Sequence, residues 1–186
     1  RDARRLEPGT FLSVRWPIEQ GWPEPETFWS AREAALAAMR NPFSGTAEDA
    51  VAGLENLLGD SIRRRMVADV PLGAFLSGGI DSTTVGALMQ KYGSRPARTF
   101  TIGFSEKSYN EANEARAIAR HLGTEHTELH VTPEAAMAVI PRLSSIYDEP
   151  FADSSQVPTF LVSELAKRHV TVALTGDGGD EVFGGY

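Results

Sequence analysis

Cysteine is absent from the 186 residues of this chain. That absence excludes structural disulfides, thiolate zinc sites and a cysteine nucleophile within these residues. No apolar run reaches the ~18 residues that a membrane-spanning helix needs, so no membrane partner is expected. No long apolar stretch follows Arg1-Asp2-Ala3-Arg4-Arg5, so no secretory signal is expected either. Positive charge is also scarce: 18 Lys and Arg face 25 Asp and Glu, for a net charge of -7. A nucleic-acid-binding domain carries a basic surface, so nucleic acid is not the expected partner. Nucleotides stay open, because backbone amides and a metal hold phosphates without basic side chains. The cysteine-free composition is compatible with the cytoplasm, which is the expected compartment. The chain starts without Met and stops at Val182-Phe183-Gly184-Gly185-Tyr186 with no closing element, which reads as a fragment of a longer protein.

What is present divides in two. Residues 1–45 hold the tryptophans Trp16, Trp22 and Trp29 and the prolines Pro8, Pro17, Pro23, Pro25 and Pro42. Thr10 to Val14 reads as a short strand, and the stretch from Trp16 to Pro25 breaks regular structure. This region is expected to be a linker with a few aromatic anchors. Regular structure is expected from Thr46, which with Asp49 forms a cap of the capping-box type. Val51, Leu54, Leu58, Ile62 and Met66 follow as one apolar helical stripe. Arg63, Arg64 and Arg65 complement the dipole at the end of that helix and read as a solvated helix end.

Strands and helices then alternate. Strands are expected at Leu72–Leu76, Arg98–Ile102, Glu125–Val131 and Val170–Leu174. Helices are expected at Ser82–Tyr92, at Glu111–Leu122 with Gly123 as its C-cap, from Pro133, and within Ser154–Arg168. This order means a parallel sheet with helices on both faces, a doubly wound α/β domain.

Two glycine-rich loops carry the chemistry. Ser77-Gly78-Gly79-Ile80-Asp81-Ser82 follows a strand and opens a helix. Glycines let a backbone approach a phosphate, and the amides of the helix N-terminus point at it. Ser77 and Ser82 add hydroxyls. Asp81 would repel a bare phosphate, but suits a divalent metal lying between them. The loop has neither the Gly-Lys-Ser/Thr of a Walker A motif nor the GxGxxG of a dinucleotide site. The second loop, Thr175-Gly176-Asp177-Gly178-Gly179-Asp180-Glu181, also follows a strand and carries three carboxylates. Ligands of open parallel sheets bind at that edge. The spacing does not fit a twelve-residue calcium loop. His126 and His130 share a strand face, and ordinary strand positions are the expected reading, since no third ligand is evident. Asp148, Glu149 and Asp153 either line the site or, for Asp153, cap the following helix.

The first loop resembles the pyrophosphate-binding loop of the N-type ATP pyrophosphatases. The stretch before it (Asp69-Val70-Pro71-Leu72-Gly73), Thr99–Phe104, Tyr147–Ser155 and Thr175–Tyr186 resemble, in order, the asparagine synthetase family. The resemblance spans roughly residues 46–186. It implies an ATP pyrophosphatase fold of the adenine nucleotide alpha hydrolase-like kind, truncated at its C-terminal side. Residues 6–29, with Leu6-Glu7-Pro8-Gly9, resemble the tail of that family's N-terminal glutaminase domain and its link, so 1–45 is expected to be that tail and linker and 46–186 the synthetase domain.

The resemblance places ATP on Leu76, Ser77, Gly78, Gly79, Asp81, Ser82, Ile102, Gly103, Thr175 and Gly176, with the adenosine at the backbone near Leu76 and Ile102. It assigns magnesium to Asp81 and Asp180. Asp177 stands where the family has a catalytic acidic residue, often Glu. The implied reaction is ATP-dependent amide formation through an acyl-adenylate, by a carbon–nitrogen ligase. Aspartate or a related carboxylate would be the acceptor, ammonia would come from glutamine, and a homodimer is open as the assembly. A family lysine that helps in adenylation falls beyond Tyr186. The alternatives are another adenylating enzyme of the superfamily and a non-catalytic nucleotide-binding module.

Overall fold

The computed structural model describes residues 4–18, 21–104, 111–149 and 152–185. Arg1 to Ala3, Pro150 and Phe151 of the Tyr147–Ser155 motif, and Tyr186 lie outside the described residues. The chain forms two compact units, Arg1–Gly53 and Leu54–Tyr186.

The first unit departs from the expected linker. Strand β1 is only Thr10–Phe11, pairing antiparallel with β2, Glu26–Thr27. Gly9, at φ +72°, turns the chain so that its carbonyl accepts from Phe28 N at 2.9 Å and Trp29 N at 3.2 Å. Helix α1, Ala31–Arg40, was not expected. Its signal is Ser30 followed three residues later by Glu33, and the Ser30 hydroxyl accepts from Glu33 N at 3.3 Å. Within these residues Trp16 and Trp22 are 86% and 73% exposed.

Helix α2 is Ala47–Arg65. Its capping box is reciprocal: Thr46 N donates to Asp49 at 3.0 Å, and Asp49 N donates to Thr46 Oγ1 at 3.2 Å. The expected stripe holds in the second half only, where Ile62 is buried and Leu58 and Met66 pack beside it. Val51 and Leu54 stay exposed. Arg64 bonds Asp60 at 2.7 Å and Arg63 lies over the Tyr92 ring, so the basic cluster is used locally.

The second unit is built on β3 (Leu72–Phe75), β4 (Arg98–Phe104), β5 (Glu125–Val131) and β6 (Val172–Leu174). The order is β5-β4-β3-β6, parallel throughout. Between them lie α3 (Ile80–Tyr92), α4 (Ala112–Leu122), α5 (Pro133–Met137), α6 (Leu143–Ile146) and α7 (Gln156–Lys167). A short helix α8, Gly179–Phe183, follows β6.

Side-chain alternation along β4 divides the core. Phe100 packs with Leu165, Ala166 and Val170, and Ile102 and Phe104 pack with Val139 and Leu161. On the opposite face Thr99 is fully buried and bonds Thr124 and His126. Ala115 and Ala119 of α4 close over Leu76. Phe100 and Leu76 are 1% exposed, and burying side chains of that size contributes roughly 2–3 kcal/mol each. The expected doubly wound α/β architecture with a parallel sheet is the one found.

Candidate functional site

The sheet order creates a switch point. From β3 the chain steps to β4 and β5 on one side and returns to place β6 on the other. The loops leaving β3 and β6 therefore emerge side by side at the carboxyl edge, where open parallel sheets bind ligands.

The loop after β3 is shaped by its own side chains. Ser82 Oγ accepts from Ser77 N at 3.1 Å, lies 2.9 Å from Ser77 Oγ and 3.3 Å from Gly79 O. Ser77 Oγ accepts from Gly79 N at 3.3 Å. Ser82 is buried, so its hydroxyl builds the loop. Gly78 adopts φ +92°, and a Cβ there would stand 2.9 Å from Glu114 Cβ. The first turn of α4 thus closes on the loop, an approach that sequence reasoning missed because it spans two distant segments. Gly79 caps α3. The first-turn amides of a helix lack helical acceptors and point outward along its axis, which gives this loop the character of an anion cradle.

The loop after β6 is a turn. Gly179 N donates to Gly176 O at 3.1 Å, and Gly178 takes φ +94°, ψ -11°, as the third position of a type II turn requires. Thr175 Oγ1 accepts from Asp177 N at 3.3 Å, which holds the exposed Asp177 at the tip. Asp180 lies in the first turn of α8, with its carbonyl accepting from Gly184 N and Gly185 N.

The two loops touch at Asp81. A Cβ on Gly176 would come 2.7 Å from Ser82 N and 2.9 Å from Asp81 Cβ. A Cβ on Gly179 would collide with the Asp81 carboxylate. The structure therefore brings Asp81 and Ser82 together with Gly176 and Gly179, whereas the Asp180 carboxylate lies against Gly185. Ile102 and Gly103 lie at the carboxyl end of β4 beside them. The Leu76 and Ile102 side chains belong to the core, which leaves their backbone for the rim.

Other candidates are engaged by local partners. His126 Nδ1 is 2.9 Å from Thr99 Oγ1, and burial pushes its pKa below the ordinary value. His130 Nε2 is 2.7 Å from Glu128, which Arg116 grips with two bonds of 2.6 and 2.9 Å. That grip holds the Glu128 carboxyl below its usual range. Asp153 takes the turn role before α7: its carboxylate accepts from Ser155 N at 2.8 Å, which lowers its pKa.

Among the described residues, no three His, Asp or Glu side chains gather as a ready-made metal cage. Magnesium is held characteristically by one or two carboxylates together with substrate phosphates and water. Asp81 carries a carboxylate at the cradle, and the Asp180 carboxylate lies against Gly185 past the end of α8.

Comparison with known proteins bears on the family and the fold. Residues 53–186 match the asparagine synthase family. A glutamine-hydrolysing asparagine synthetase of Bacillus subtilis is 33% identical over 98% of this chain and 27% of its own length. A Mycobacterium bovis protein, named provisionally as such a synthetase, is 39% identical over the whole chain and 28% of its own length. The chain thus spans just over a quarter of these relatives. Among solved structures, an NMN synthetase of Francisella tularensis shares the fold, with a TM-score of 0.50 at 21% identity over 77% of this chain and 59% of its own. The chain belongs to the asparagine synthase family.

Proposed function

We propose that the protein containing this chain forms an amide from a carboxylate and ammonia with ATP, through an acyl-adenylate. The carrying observation is the meeting of the two rim loops on Asp81. The Gly78 turn and the first-turn amides of α3 receive the pyrophosphate end of ATP, while the Ser77 and Gly79 amides shape the loop, and the backbone at Leu76, Ile102 and Gly103 faces the adenosine. Thr175 and Gly176 lie along the nucleotide. Asp81 and Asp180 would hold magnesium, which neutralises charge on the departing pyrophosphate. Asp177, at the turn tip, meets the acceptor or the ammonia.

Aspartate is the acceptor we infer from the relatives named as asparagine synthetases, with ammonia supplied from glutamine elsewhere in the parent protein. Residues 1–45 fit the end of such an ammonia-supplying domain and its link, and residues 46–186 the synthetase part. The test is product analysis on the full-length protein with ATP, magnesium, aspartate and ammonia. AMP and pyrophosphate formed in step with asparagine support the reading. ADP and phosphate, or nucleotide binding with no amide formed from any carboxylate, overturn it.

A further inference from the structure

The turn Gly176-Asp177-Gly178-Gly179 contains three glycines, and each answers a different demand. Gly178 is required by its own backbone: φ is +94°, and a Cβ there would meet nothing within 4 Å. Gly176 is required by neighbouring backbone, since a Cβ would crowd Ser82 N at 2.7 Å and the Asp81 carbonyl carbon at 3.0 Å. At Gly179 the three nearest obstacles all belong to one side chain. Its φ lies outside the left-handed region, and the obstacle is the Asp81 side chain, whose Cγ and Oδ2 fill the space of the missing Cβ and whose Oδ1 would stand 2.9 Å from it.

We infer that Gly179 is a positioning residue for Asp81: the bare face of the turn at this position is the seat of the carboxylate and fixes its rotamer. This rests on the proposed role of Asp81 toward magnesium. The two kinds of obstacle predict different phenotypes. A Cβ at Gly176 pushes on backbone, which cannot yield without moving α3. A Cβ at Gly179 pushes on the free end of a side chain, which rotates away to another staggered well. The fold survives and the carboxylate is displaced.

The experiment uses the full-length protein and calorimetric ATP binding across a magnesium series, with melting temperature recorded without nucleotide. Gly179→Ala is expected to raise the magnesium needed for half-maximal ATP binding by roughly ten- to a hundredfold, the range for residues that orient a metal ligand. Its melting temperature and the KM for the acceptor carboxylate stay at wild-type values. Gly178→Asn, which tolerates positive φ in open space, leaves the magnesium requirement unchanged. In an Asp81→Asn background, Gly179→Ala adds no further loss, since both changes act through one carboxylate.

A wild-type magnesium requirement in Gly179→Ala overturns the inference. So does an equal effect in the Asp81→Asn background, or a collapse of the fold. If the wild type itself binds ATP equally well without magnesium, the metal reading under the proposed function fails and takes this inference with it.

Discussion

The two loops at the carboxyl edge reach the same place by opposite means. Ser77 to Ser82 is held by hydroxyls bonding within the loop. Gly176 to Gly179 closes a turn through its backbone, and its missing side chains leave the room that Asp81 and the Ser82 amide occupy. The first loop is self-supporting, and the second is moulded on Asp81 and the Ser82 amide. Serines therefore matter in one and missing Cβ atoms in the other.

The largest test of that contrast is Gly176→Ala against Gly79→Ala. The first drives a Cβ into the Ser82 amide, whereas the second meets only Ser77 Oγ at 3.3 Å. Gly176→Ala is expected to lower unfolding stability by roughly 1–3 kcal/mol, as overpacking does, and to abolish ATP binding. Gly79→Ala should stay within about 0.5 kcal/mol of wild type. Equal losses in urea titrations would erase the distinction between the loops.

Next come the carboxylates of the moulded loop. Asp180→Asn removes a charged magnesium donor in the proposed site and is expected to weaken magnesium-dependent ATP binding at least roughly tenfold. Asp177→Asn should leave that affinity within about twofold and slow amide formation instead, a loss of transition-state stabilisation. Calorimetry and turnover of both variants at saturating magnesium decide the point. Swapped or identical phenotypes refute the division of labour.

In the self-supporting loop, Ser82→Ala deletes a buried hydroxyl and strands the Ser77 amide. A stability loss of about 1–2 kcal/mol is expected, with the acceptor KM unchanged. A neutral result in urea would mean that the hydroxyl net does not hold this loop.

The smallest effect lies away from both loops and serves as their control. Burial depresses the folded pKa of His126 below its ordinary 6.5. A histidine shifted down contributes stability above its unfolded pKa, and that contribution fades as pH falls through 6.5 toward the folded value. Glu128, held low by Arg116, adds a second loss as pH falls below its ordinary 4.5. Urea midpoints between pH 7 and 5.5 should decline for the wild type and flatten in His126→Gln. An unchanged slope in that variant would sink the assignment.

The sequence made the second unit legible because its signals were local. Gly123 closed α4 at φ +72°, Pro133 opened α5, and β5 matched its expected bounds. The residues of both loops could also be picked out, since strand, glycine and helix follow one another within a few positions. Their contact could not. Nothing near Gly179 in the chain points to Asp81, and nothing near Gly78 points to Glu114. The first unit failed for a different reason: prolines and tryptophans drew the reading to an irregular linker, and the Ser30–Glu33 cap of α1 was hidden behind them. The apolar stripe on α2 is buried only around Ile62, because apolar spacing marks a face without saying how far a partner extends along it.

The pairing of β3 with β6 also bears on how the molecule is made. Leu72 aligns with Val172, so the strands that set the two loops side by side lie far apart in the chain, whereas β3 and β4 join across a single helix. Distant pairings are slow to close, because loop entropy is lost before contacts repay it. The hydroxyl net of Ser77 to Ser82 involves only neighbours and forms with its own turn. The Asp81 seat waits for the last strand to dock. In the proposed site the seat of Asp81 is completed only by the loop after β6, so magnesium-dependent ATP binding is expected to appear no earlier than β6 docks, which stopped-flow refolding with ATP and magnesium would check.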